Sequence, residues 1–209
     1  MTRPLENRLQ LLSEWCGPYP RVADIGAGSG RLSLDLIGKG HDVIATEASA
    51  KGVEILRRTT AKRIMSLVGD GLLPLKRQMA VDAIVVAGMG SDLIIHILGQ
   101  RHFLPYNPVF LLQPVQGILA VRRYLAENLA VIHRGGLVAD RARIYASWEV
   151  SFDGIGGQIP IFAEFSQDPL WPILCSREQQ FRRHKLTFPL SPKEYQKTWE
   201  ELGYWNTVL

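Results

Sequence analysis

The segment Asp24-Ile25-Gly26-Ala27-Gly28-Ser29-Gly30 sets an acid and three glycines where a short apolar run gives way to Arg31-Leu32-Ser33-Leu34-Asp35-Leu36. Glycine tolerates left-handed backbone angles and lets main-chain N–H groups approach a ligand closely, so a strand-to-helix turn of this composition suits a nucleotide-like cofactor. Glycine kept there only for packing is the plainer alternative. A dinucleotide fingerprint carries its third glycine three residues after the second. Arg31 occupies that place, which disfavours a nicotinamide cofactor and an oxidoreductase. Two further acids close apolar runs downstream. Glu47 ends the run from His41 to Thr46, where its carboxylate could bind a ribose diol or simply favour the N-terminus of a helix starting near Ser49. Asp70 lies in Gly69-Asp70-Gly71-Leu72 after the run Ile64 to Val68, where it could accept a hydrogen bond from an adenine amino group or form an ordinary Asp-Gly turn.

These acids have to be placed by strands. A fourth strand is expected over Val81 to Ala87, turning at Gly88-Met89-Gly90 into an apolar helix from Leu93 to Leu98. Strand and helix candidates alternate to about residue 128, which implies a parallel sheet with right-handed crossovers. Leu129 to Asp140 and Arg141 to Phe152 follow each other with no helical span between them, the pattern of an antiparallel pair. The expected fold class is therefore α/β and Rossmann-like: a mostly parallel sheet, a terminal antiparallel hairpin and a short C-terminal arm. Domain boundaries are expected at 1–165 and 166–209. Within the arm, Pro169, Pro172, Pro189 and Pro192 argue against a single long helix over 166–192. Ser191-Pro192-Lys193-Glu194 reads as the capped start of the arm's one helix, ending at Gly203. Tyr195, Trp199 and Leu202 form a stripe on that helix, expected to pack in the core or to make a homodimer contact.

The order Gly26-x-Gly28-x-Gly30 after Asp24 resembles the first motif of class I S-adenosylmethionine-dependent methyltransferases. The run Asp82-Ala83-Ile84-Val85-Val86-Ala87-Gly88-Met89-Gly90-Ser91-Asp92-Leu93-Ile94-Ile95-His96-Ile97-Leu98 resembles the bacterial tRNA (adenine-22, N1)-methyltransferase family, which has Ala-Gly-Met-Gly at this turn. Asn7-Arg8-Leu9-Gln10, Val22 to Gly26, Gly69 to Leu72 and Leu111-Leu112-Gln113-Pro114 are similar too, and the likeness covers residues about 5 to 165. The resemblance implies S-adenosyl-L-methionine held by Asp24, Gly26, Gly28, Gly30, Glu47, Asp70, Gly71, Ala87, Gly88 and Met89, with backbone groups at residues 87–89 beside the target base. It also marks two departures. The family's Asp and His of the first motif fall on Gly28 and Ser29 and its Tyr falls on Arg31, and the family's long helical C-terminal extension is expected to be shortened here. The implied activity is methyl transfer to N1 of an adenine in tRNA. Methylation of another RNA or a small molecule, and silent cofactor or RNA binding, remain alternatives.

The chain has 209 residues, 46% of them hydrophobic, enough for a sizeable core in one domain with an appendage. No apolar stretch reaches the roughly 18–20 residues needed to span a bilayer, so a cytoplasmic protein without membrane attachment is expected. Cys16 and Cys175 form no metal-ligand spacing; no metal is expected, and both thiols should be buried and reduced. The net charge of +4 says little, but its distribution nominates substrate contacts: Arg8 in the leading helix, Arg31, Gln113 at a strand end, Arg122 and Arg123, Arg141 near the hairpin, and Arg182 and Arg183 beside Phe181. Arg31 could equally neutralise Asp35, and Gln113 could merely terminate its strand. His96, alone in an apolar run, reads as a hydrogen-bonded packing residue.

Overall fold

The computed structural model describes residues 5–75, 79–153 and 161–208. The chain divides into two compact units, Met1–Glu164 and Phe165–Leu209. In the first, α1 (Asn7–Trp15), β1 (Arg21–Ile25), α2 (Arg31–Gly38), β2 (Asp42–Glu47), α3 (Ala50–Thr59), β3 (Met65–Val68), β4 (Ala83–Gly90), α4 (Ser91–Gly99), β5 (Val109–Gln116), α5 (Ile118–Glu127), β6 (Val131–Asp140) and β7 (Arg143–Ser151) follow in order. They build one seven-stranded sheet of order β3-β2-β1-β4-β5-β7-β6. Strands β3, β2, β1, β4 and β5 are parallel, and β7 joins β5 antiparallel with β6 at the edge. The parallel sheet and terminal hairpin agree with the sequence reading.

The central strands read as apolar runs because both faces are covered, as parallel sheets require. Val22, Ala23, Ile44, Ala45, Val85, Val86, Leu111 and Leu112 are all buried. One face packs on α1, α2 and α3 through Leu12, Trp15, Leu32, Leu36 and Leu56, while α4 and α5 lie together on β4 and β5. Helix α1 also reaches the hairpin. The guanidinium of Arg134 stacks 4.6 Å from the Trp15 ring centre, and Tyr19 donates to Glu149 at 2.8 Å.

Strand β4 differs from expectation. Val81 and Asp82 precede it, and Asp82 instead accepts the Arg21 N–H at 2.8 Å. At the other end pairing with β5 continues through irregular register to Gly90, so residues 88–90 form a bulged strand end rather than a free turn. A bulge re-aims the chain beside a crevice.

The second unit holds two helices, α6 (Trp171–Lys185) and α7 (Pro192–Trp205), where one was expected. Pro172 sits in the first turn of α6, where its missing N–H costs nothing, and Pro189 falls past the end; the stretch between is free to be helical. Helix α7 starts with the expected capping box of Ser191 and Glu194 but runs on to Trp205. Its buried residues are Thr198, Leu202 and Trp205, so the expected stripe is split: Leu202 is covered, and Tyr195 and Trp199 are exposed. Trp171 and Trp205 meet at 5.9 Å between ring centres. Both cysteines are free and buried, and burial pushes each thiol up to about 12. Among the described residues, no helix is long and apolar enough to cross a membrane, and no group of three potential ligands could hold a metal ion.

Candidate active site

The parallel register aligns the strand ends: Glu47 on β2 lies opposite Val68 on β3, and Asp24 on β1 lies opposite Ala45 on β2 and Val85 on β4. Asp24, Glu47, Asp70 and Gly88 thereby fall at the carboxyl ends of four adjacent strands. The sheet order reverses between β1 and β4, where open α/β sheets place their ligand crevice. A cavity of about 250 Å³ opens there, lined by Asp24, Gly26, Ala27, Gly28, Ala87 and Gly88 from the strand ends and the turns after them, and also by Glu6, Arg8 and Arg31.

Asp24 is the buried acid of this floor. Burial is the main cause that raises its carboxyl to about 6, the charge of Glu47 adds to it, and hydrogen bonds from Ser33 oppose it; the Ser33 hydroxyl donates to Asp24 at 2.6 Å. Glu47 accepts the Gly28 N–H at 2.5 Å, tying the glycine turn to the second strand. The N–H groups of Gly26 and Ala27 are bonded to the Thr46 carbonyl, and that of Gly30 to the Ala27 carbonyl. Those three amides hold the turn itself rather than face outward. Gly30, in the left-handed region at φ +74°, has a packing role as well: a Cβ there would lie 2.6 Å from both Leu56 and Thr60 of the α3 segment.

Asp70 is organised by two residues of the α4 region. Gln100 donates to its carboxylate at 2.9 Å and accepts the Leu72 N–H at 2.7 Å, so one buried amide fixes the whole 69–72 loop. His96 bonds the same Asp70 oxygen at 2.7 Å. Its hydrogen bond was expected, but its side chain is 54% exposed, so it faces the acid on the surface instead of packing. Nothing in the linear sequence distinguished Gln100.

The proposed substrate contacts separate into groups. Arg8 lines the cavity, held 5.6 Å over the Tyr145 ring. Gln113 is buried and lies within β5 rather than at its end; it donates to Ser147 at 2.8 Å and to the Arg8 carbonyl at 3.0 Å, so it secures α1 to the sheet. Arg31 also lines the cavity, and it pairs with Glu6 rather than Asp35; Asp35 is taken by Ser13 and Lys39. Arg122 is 2% exposed and bonded to Glu164 at 2.7 Å, and Trp148 shares that carboxylate. Arg182 is likewise buried between Glu178 and Glu201. Both drop out of the substrate surface because a buried guanidinium needs its carboxylate partner. Arg123, Arg141 and Arg183 are exposed, Arg141 at the tip of the hairpin.

The sheet order, the switch-point cavity and the acids at successive strand ends define a Rossmann-like protein of the class I methyltransferase type. Residues 5–147 match the family described as Methyltransferase domain, and the chain belongs to that family. It is 33% identical over 132 residues to a Mycoplasma pneumoniae protein assigned provisionally as a tRNA methyltransferase, a match that spans 58% of this chain and 59% of that relative. The fold resembles that of M. capricolum TrmK, solved with S-adenosyl-homocysteine, at a TM-score of 0.79 and 15% identity over 98% of this chain and 97% of that one. It also resembles the B. subtilis m1A22 tRNA methyltransferase TrmK, at a TM-score of 0.74 and 22% identity over 96% and 95%. Since nearly all of both chains is covered, the expected shortening of the C-terminal region is not seen against these two structures.

Proposed function

We propose that the chain is an S-adenosyl-L-methionine-dependent methyltransferase that modifies N1 of an adenine in tRNA. The observation that carries this reading is the run of acids at adjacent strand ends beside a glycine turn at the switch point, with the bulged end of β4 as the far wall. The residues present fit the cofactor. Glu47 and Asp70 suit a ribose diol and an adenine amino group, the cavity over Gly26, Gly28 and Gly88 has room for the reacting end, and a Cβ at Gly28 would meet no atom of the described residues within 4 Å. The relative's provisional assignment and the names of the two solved structures support tRNA as the substrate class.

When bound, the cofactor supplies a methyl group on a sulfonium centre. Adenine N1 carries a free lone pair, so its attack requires no general base, and the methylated base is left positively charged. The protein's work is then alignment, exclusion of water and stabilisation of that charge, and orientation alone can supply about 7–11 kcal/mol. Asp24 places negative charge in the cavity lining, Glu47 adds its own through the Gly28 N–H it accepts, and the wall at Ala87 and Gly88 offers backbone groups to a base extruded from the RNA. Exposed Arg123, Arg141 and Arg183 are the proposed phosphate contacts. Nucleoside analysis of tRNA incubated with the protein and methyl donor tests the reading: 1-methyladenosine is expected, and methylation confined to another nucleoside contradicts it. Binding of a nicotinamide cofactor in direct titration would overturn the cofactor assignment.

A further inference from the structure

Glu6 sits at the N-cap of α1, yet its side chain makes no capping hydrogen bond. It lines the same cavity as Asp24, Gly28 and Gly88. One carboxylate oxygen, Oε1, is held by Arg31, whereas Oε2 is shielded from solvent and has no hydrogen-bond partner among the described residues. An acceptor left in that state carries an uncompensated desolvation cost. The broad torsion about the last side-chain bond of a glutamate lets Oε2 turn toward the cavity. Arg31, on the first turn of α2, lines the same cavity.

We propose that Glu6 recognises the target base, with Oε2 accepting a hydrogen from the exocyclic amino group of the adenine. The inference rests on the methyl-transfer reading above. In the transfer, the N1 lone pair forms the new N–C bond while the S–C bond breaks and its electron pair goes to sulfur; no proton moves. The positive charge created on the base spreads through the amidine to the 6-amino group, whose hydrogens become better donors. A carboxylate on that group therefore binds the transition state more strongly than the ground state, which is the condition for raising kcat. It also selects adenine over guanine and hypoxanthine, which present a carbonyl oxygen at the same position and would meet the carboxylate with repulsion.

The test compares the full-length wild-type protein with Glu6→Gln on unmodified tRNA, and on the same tRNA carrying purine riboside, which lacks the 6-amino group, at the target position. Cofactor titration is run alongside as a check of folding and of the cofactor site. A charge-assisted hydrogen bond predicts a fall of about 10- to 100-fold in kcat on the adenine substrate, with the dissociation constant for S-adenosyl-homocysteine unchanged within about twofold. On the purine substrate, the wild type should fall toward the variant, and the substitution should have no further effect. A Glu6→Gln protein as active as the wild type overturns the proposal, as does an equal loss on both substrates. A parallel loss of cofactor affinity also overturns it, by assigning Glu6 to the cofactor instead. Absence of transfer by the wild type would defeat the methyl-transfer reading first and this proposal with it.

Discussion

Replacing Gly30 with alanine separates two roles for the glycine turn. Gly30 caps α2 in the left-handed conformation at φ +74°, which costs a residue with a Cβ roughly 1–2 kcal/mol. The added methyl would lie 2.6 Å from Leu56 Cδ1 and Thr60 Cγ2. Neither neighbour yields easily: both are fully buried, and the Thr60 hydroxyl is bonded to the Leu56 carbonyl at 2.7 Å. Overpacking of this kind adds about 1–3 kcal/mol, so the total is roughly 2–5 kcal/mol. Gly28→Ala is the control. It shares the left-handed backbone at φ +59°, but among the described residues its Cβ would meet nothing within 4 Å, leaving only the backbone cost of roughly 1–2 kcal/mol. Urea denaturation of both variants, with slopes compared so that the midpoints report stability, should show the larger loss at Gly30. Cofactor titration should show the reverse, with the larger affinity loss at Gly28, which lines the cavity. Equal stability losses, or a larger loss at Gly28, would refute the packing argument.

Three further expectations follow from the same geometry. Glu47→Ala should weaken S-adenosyl-homocysteine binding about 10- to 100-fold in calorimetry, the worth of a charge-assisted hydrogen bond; unchanged affinity would sink the ribose assignment. Arg122→Met breaks a buried ion pair with Glu164 and should cost about 3–5 kcal/mol in denaturation, without altering the salt dependence of RNA binding; a shallower salt slope would return Arg122 to the phosphate surface. Asp24 titrates at about 6 in the folded chain against an ordinary value of 3.8, so the folded state binds its proton more tightly. Its contribution to stability is complete below pH 3.8 and is lost as pH rises through about 6. The stability of the wild type relative to Asp24→Asn should therefore fall by up to ~3 kcal/mol between pH 4 and 7; a flat difference would show that Asp24 is not held in this state.

The parts of the site carried by strand ends were legible in the sequence, because a buried parallel strand announces itself as an apolar run and the acid that ends it stands out. Asp24, Glu47 and Asp70 could be ordered in this way before any contact was known. The parts made by tertiary pairing were not. Arg122 and Arg182 look like neighbours of other exposed cations, and only the fold shows each facing a buried carboxylate. The Gln100 link to Asp70 and the Glu6 link to Arg31 join residues from separate elements and leave no local pattern. In the C-terminal unit the number of prolines points away from helix, and their positions decide otherwise. Pro172 falls in the first turn of α6, where proline is accepted, and a second helix resulted.

The central claim is best tested by transfer of labelled methyl from S-adenosyl-L-methionine to an unmodified tRNA transcript with adenine at position 22, set beside a transcript in which that base is changed. Label is expected to appear as 1-methyladenosine and to depend on that adenine. Equal labelling of the two transcripts would place the target elsewhere, and no label despite tight cofactor binding would contradict the tRNA methyltransferase reading.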